Sequence, residues 1–96
     1  MPLRLKYTRN DGPRDFRAIA PEAPQGVGRV FQSLDPKAKP IWVWAANGYI
    51  EEAICWLNGM GREATKIAAC EALEAYWFAA LERLREQSRL PPVPRP

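Results

Sequence analysis

The chain opens on an alternation. Leu3, Leu5 and Tyr7 are interleaved with Arg4, Lys6 and Thr8, and a period of two predicts a strand with one buried face. The turn formers of "NDGPRD" (10–15) end it. Phe16 to Ala20 reads as a second short strand, "PEAPQG" breaks the chain again, and Val27 to Ser33 ("VGRVFQS") reads as a third. After "LDPKAKP" comes the run "IWVWAA" (41–46). Strand geometry puts Trp42 and Trp44 on one face, Ile41 and Val43 on the other. Both faces are apolar, so the pattern predicts a cover on each side of this strand.

Asn47-Gly48 follows at once and is a strong hairpin signal, because both residues tolerate the positive φ of a type I′ turn. A two-residue turn here sets Ala46 opposite Tyr49, Trp44 opposite Glu51 and Trp42 opposite Ala53. The same run carries Ile50, Ala53, Ile54 and Leu57 at helical spacing. Periodicity therefore leaves 49–57 open between strand and short helix, with the strand preferred. "NGMG" (58–61) reads as a loop. From Arg62 to about Arg89 the chain is rich in Ala, Glu, Leu and Arg without Gly or Pro, which predicts a helix over 62–88. Cys70, Leu73, Trp77, Ala80, Leu81 and Leu84 fall within one arc of it, and Glu71, Glu74, Glu82 and Arg85 lie opposite. Ala68, Ala72, Ala75 and Ala79 form a stripe beside the apolar face.

The expected fold is α+β: a three- or four-stranded antiparallel sheet with one long C-terminal helix packed across one face. Residues 1–25 read as an N-terminal arm, either one or two short strands or a mobile segment. Residues 26–89 read as a β-β-β-α domain, and 90–96 as a disordered proline-rich tail. The helix would cover the tryptophan strand through Trp77 and Leu81. Nothing of comparable length remains for the other side, and a large bare apolar face usually marks a partner surface. Binding to a second copy, or to another protein, is therefore expected through Trp42 and Trp44 or through Ala68, Ala72, Ala75 and Ala79.

Ninety-six residues hold one domain. The ten prolines are about twice the usual share of roughly 5%, and they mark the loops of 21–40 and the tail. No run approaches the ~18 apolar residues of a membrane helix, and "MPLRLKYTR" lacks the apolar core of a signal peptide. A soluble cytoplasmic protein without membrane contact is expected. Cys55 and Cys70 stand apart, with no CxxC spacing and no histidine in the chain. No metal site is expected from them, and both thiols are expected buried and reduced.

The net charge of +3 is uneven, with eight basic and four acidic side chains in 1–39 against six and seven in 40–96. Tyr7 lies beside Lys6 and Arg9, Phe16 beside Arg14 and Arg17, and Phe31 beside Arg29. Aromatic rings can stack bases while neighbouring cations meet phosphates. Arg4, Lys6, Arg9, Arg14, Arg17 and Arg29 are thus the candidate nucleic-acid residues. The competing reading turns the rings into the core and the cations to water.

Catalysis needs a proton carrier or a nucleophile beside its activator. The chain has no histidine, no base beside either cysteine, and no GxxxxGK(S/T), GxGxxG or GxSxG pattern. Glu51 and Glu52 diverge on a strand and on a helix alike, and read as a solvated edge. No enzyme, cofactor or small-molecule substrate is expected. The PxxP of Pro91 to Pro94 could dock on an SH3-like groove, but Arg95 is off the usual spacing, so a free tail is the expectation.

The run from "VGRV" (27–30) through "WVWAANG" (42–48) to "REATKIAACEALEAYW" (62–77) resembles a small uncharacterised alphaproteobacterial family. That family combines a G-R-(I/V) strand, a W-x-W strand and a helix with A-x-x-A-x-x-x-W-like spacing. More loosely, strands followed by "EATKIAACEALEAYWFAAL" resemble the β-β-β-α core of HicB-type antitoxins. These resemblances imply a three-stranded sheet under one long helix, in an interaction module, and carry over no catalytic residue. The favoured expectation is a non-enzymatic binding module acting through protein–protein contact, as a homodimer. A nucleic-acid-associated regulator of antitoxin type and a mobile-element inhibitor of a larger machine are the alternatives.

Overall fold

The computed structural model describes residues 3–91. Four strands run as a meander: β1 (Lys6–Arg9), β2 (Asp15–Ala20), β3 (Ala23–Leu34) and β4 (Pro40–Ala46). The turn-forming clusters between them are where the chain reverses. Two very short strands, β5 (Tyr49–Ile50) and β6 (Cys55–Trp56), then make a separate small hairpin. β7 (Gly59–Glu63) returns beside β4, which closes an antiparallel sheet of order β1-β2-β3-β4-β7. Helix α1 (Lys66–Glu86) packs across β3, β4 and β7 on one face.

The α+β class holds, but the sheet has five strands rather than three or four. Residues 6–9 and 15–20 are two of them, so the segment read as an arm of one or two short strands, or mobile, supplies two paired strands. The division placed at 25/26 falls inside β3. That strand is irregular there: β2 advances from Ala18 to Ala20 while β3 advances from Gly28 to Ala23. The excess residues bulge, and both Val27 and Val30 end up fully buried, which strict alternation forbids.

Asn47-Gly48 does not close a type I′ hairpin. Both of its N–H groups donate to the Val27 carbonyl, at 3.2 and 3.0 Å, so the pair is laid against the β3 bulge. A Cβ at Gly48 would overlap the Gly26 carbonyl, so glycine is there for a close backbone crossing. Tyr49 consequently pairs with Trp56, while Trp44 faces Gly61 and Trp42 faces Glu63. Residues 49–57 are neither one strand nor a helix.

The expected loop "NGMG" is mostly strand. Gly59 and Gly61 face the helix, where a Cβ would overlap the Tyr76 ring or the Trp44 indole. These glycines make room for aromatic rings that lie flat over the edge strand. The helix accordingly starts at Lys66 rather than Arg62. Thr65 caps it, accepting a bond from the Ala68 N–H at 3.1 Å. At the other end Ser88 takes φ +58. The Ser88 and Arg89 N–H groups bond back to the Arg85 and Leu84 carbonyls, a Schellman closure. Leu90, expected in the tail, is buried in the core, and the rest of that tail from 92 to 96 lies outside the described residues.

Trp77 and Leu81 pack in the core as expected, with Leu73, Cys70, Leu84 and Ala69 beside them. Trp42 and Trp44 lie on this same side, partly buried against that core. Glu74, placed on the solvated side by the helical wheel, is instead only 7% exposed. Its carboxylate accepts bonds from the Arg4 and Leu5 N–H groups and the Tyr7 hydroxyl, all at 2.9 Å. It thereby ties the N-terminal strand to the helix. Burial and the facing Glu74 carboxylate push the Tyr7 phenol far above its ordinary value, so it stays a donor. Of the two thiols, Cys70 is buried but Cys55 is only half-buried, in the small hairpin.

Candidate functional site

The sheet has one covered face and one open face. Register assigns the side chains. Thr8, Arg17, Arg29, Ala45 and Met60 line up across all five strands on the side away from the helix. Asp15, Phe31, Val43 and Arg62 form the next row. Lys6 and Ile19 face each other at the β1 end, and Ile41 stands beside Val43. Among the described residues no element packs over the middle of this face. Val43 is nonetheless only 5% exposed, because it sits in register between the long side chains of Phe31 and Arg62.

This answers what lies on the two sides of the tryptophan strand. Trp42 and Trp44 are under the helix, so they are not the uncovered partner surface expected of them. Trp44 meets Tyr76 with ring centroids 5.9 Å apart. The open face belongs to Ile41, Val43 and Ala45. The alanine stripe lies along the helix flank, with Ala75 and Ala79 exposed and Ala68 and Ala72 half-buried.

Strand parity also sorts the candidate cations. Lys6, Arg17 and Arg29 share the open face. Arg9 is opposite Phe16 on the helix side, and Arg14 sits in the turn before β2. Arg4 stacks its guanidinium 3.7 Å over Phe78, against the helix. The six therefore do not form one patch. In their place the fold adds Arg62, which the loop and helix assignments hid. Its signal was present in "GMGRE", where Met60 and Arg62 alternate with Gly59, Gly61 and Glu63.

Arg29 is the anchored cation of the group. Its Nε donates to Asp15 Oδ1 at 2.8 Å, its Nη2 bonds Oδ2, and its guanidinium lies 4.3 Å over the Phe31 ring. The hydrogen-bonded guanidinium holds the Asp15 carboxyl below its ordinary 3.8, against the opposing effect of burial. Asp15 thus stabilises the fold fully above its unfolded-state value and loses that contribution as pH falls through the lowered folded one. The melting-temperature gap between the wild type and Asp15→Asn should be open at pH 7 and close toward pH 2, followed by circular dichroism. A gap that stays constant with pH would remove the ion pair from the account.

At one end of the face the β5–β6 hairpin rises beside Arg17 and Arg29. Its Ile50, Ala53 and Leu57 sink into the core, and Arg89 clamps its tip by donating to the Ala53 carbonyl at 2.6 Å. Tyr49 and Trp56 pair at 4.7 Å, and Trp56 remains 71% exposed. A cleft of about 360 Å³ lies between hairpin and sheet, with Arg17, Arg29, Asn47, Tyr49 and Trp56 among its walls. Alternation cannot reveal an exposed tryptophan on a two-residue strand, so this cleft was not legible.

No described helix is long and apolar enough to cross a membrane. In comparisons with known proteins, no family model, curated protein or solved structure matches the chain.

Proposed function

We propose that the chain is a non-enzymatic binding module whose open sheet face takes single-stranded nucleic acid. The observation that carries this reading is the pair of cross-strand rows that set Arg17, Arg29 and Arg62 around Phe31 and Val43 on a face no layer covers. With Lys6, the strands of this face carry four cations, against Asp15 within the face and Asp11 and Glu51 at its rim. Such a surface suits phosphates, with the half-buried Ile41 and the Phe31 ring, stacked under the Arg29 guanidinium, as the apolar contacts beside them.

The same charge argues against a homodimer through this face. A two-fold contact sets a surface against itself, and like-charge juxtaposition is costly. Protein–protein pairing through Trp42 and Trp44 loses its basis once the helix covers them. A regulator of antitoxin type, acting in the cytoplasm, is the role this reading accommodates.

Lys6, Arg17 and Arg62 have no ion pair among the described residues. Three phosphate contacts to a single strand predict a slope of log affinity against log salt of about −2. Fluorescence anisotropy with labelled single-stranded and duplex oligonucleotides, from 50 to 500 mM salt, tests this; the Debye length falls about threefold across that span. Preference for the single strand with that slope is the expected result. Salt-independent binding, or a protein that scatters light as a dimer and ignores oligonucleotides, would refute it.

A further inference from the structure

We infer that the cleft between the β5–β6 hairpin and the sheet is a nucleotide subsite, in which a base stacks on Trp56 and its phosphate meets Arg17. The inference takes its ligand class from the reading of the open face, because Arg17 and Arg29 border both. Its ligand is one flat base carrying a phosphate, met either as a free nucleotide or as one unit of a strand.

Four observations converge on it. The cleft's volume of about 360 Å³ falls within the roughly 300–1,000 Å³ of small-ligand sites. Trp56 is the most expensive side chain to leave in water, yet it stands 71% exposed at the cleft wall. It is also held there rather than free to fold away. Tyr49 packs against it, the Leu57 N–H bonds the Gly48 carbonyl at 2.8 Å, and Arg89 fixes the tip. The tip residue Ile54 takes φ +50, a conformation that a β-branched side chain adopts only under constraint from its surroundings. A platform fixed in this way loses little entropy when a ring lands on it.

The polar walls match the rest of a nucleotide. Arg29 is engaged by Asp15, whereas among the described residues Arg17 has only one weak bond, from Nη2 to Asn10 Oδ1 at 3.3 Å. Arg17 is therefore the group available to a phosphate. Asn47 offers an amide at the wall. Glu51, the one carboxylate lining the cleft, suits an exocyclic amino group of adenine, cytosine or guanine. It would repel a phosphate placed on its side, so the nucleotide has one orientation, with phosphate toward Arg17.

Titration of the full chain with AMP and with a single-stranded oligonucleotide, read by tryptophan emission and acrylamide quenching, tests the assignment. Trp77 is buried and Trp42 and Trp44 are partly covered, so ligand protection of the exposed indole reports on Trp56. Both ligands should quench emission and shield it from acrylamide. Trp56→Ala should weaken oligonucleotide binding about tenfold, in line with stacking of ~1–3 kcal/mol per base, without changing the salt slope. Arg17→Gln should reduce that slope by about 0.7. Trp56→Phe, which keeps a ring against Tyr49, should recover most of the loss and guards against a disrupted hairpin. Unchanged oligonucleotide affinity in Trp56→Ala would overturn the cleft and leave the open-face reading standing. Quenching by AMP without oligonucleotide binding would keep the cleft as a free-nucleotide site and overturn the open face. Binding of neither overturns both.

Discussion

Glu74→Ala should lower unfolding stability by about 3 kcal/mol, seen as a fall in the urea midpoint at unchanged m value. The carboxylate accepts two backbone N–H groups and a phenol from the N-terminal strand. Each buried donor left without a partner costs on the order of 1–3 kcal/mol, and the exposed Arg4 recovers part of its share from water. A domain of this length has about 5–14 kcal/mol in total, so the loss is a large fraction. Glu74→Gln separates charge from geometry. One amide oxygen can still take the Leu5 N–H and the Tyr7 hydroxyl, so it should cost about half as much. Hydrogen exchange at the Arg4 and Leu5 amides should quicken in both variants. Slow exchange there in Glu74→Ala would mean that the strand is held by something else.

Trp77→Ala should cost about 3–5 kcal/mol, the usual range for emptying a large buried site. Trp77 is fully buried at the centre of the helix's packed face. Its indole Nε1 has no hydrogen-bond partner among the described residues, which makes Trp77→Phe the informative companion. Phenylalanine leaves a small void but also removes an unsatisfied donor, so the two effects partly cancel and the loss should stay near 1 kcal/mol. Thermal melts of the two variants check this. A Trp77→Phe as damaging as Trp77→Ala would show that Nε1 is bonded in solution.

The sequence made the meander legible wherever alternation and turn chemistry agreed. Leu5 and Tyr7 against Lys6 and Thr8, the "NDGPRD" turn and the tryptophan strand all stand where period two puts them. It misled where a residue's usual local role was overridden by a distant neighbour. Asn47-Gly48 has the chemistry of a tight turn, yet the β3 bulge takes its N–H groups. Gly59 and Gly61 look like loop residues because the rings of Tyr76 and Trp44, which require them, arrive from elsewhere in the chain. Glu74 looks solvated on a helical wheel because its three donors lie some seventy positions away. The candidate site suffered most from this. A basic half is visible in composition, but which cations share a face depends on register. Lys6, Arg17 and Arg29 share one with Arg62, and Arg4 and Arg9 do not.

The Glu74 tie also has a consequence for the order in which the molecule is made. Chains leave the ribosome N-terminus first, and β1 to β4 need only short local turns to pair. The acceptor for the Arg4 and Leu5 amides belongs to α1, which emerges only after every described strand. Until α1 is complete, the nascent meander carries an unlocked first strand and an uncovered indole face at Trp42 and Trp44. The stage most exposed to aggregation therefore ends once α1 has emerged and packed, and a chain stopped before Lys66 should aggregate more readily than one that includes the helix.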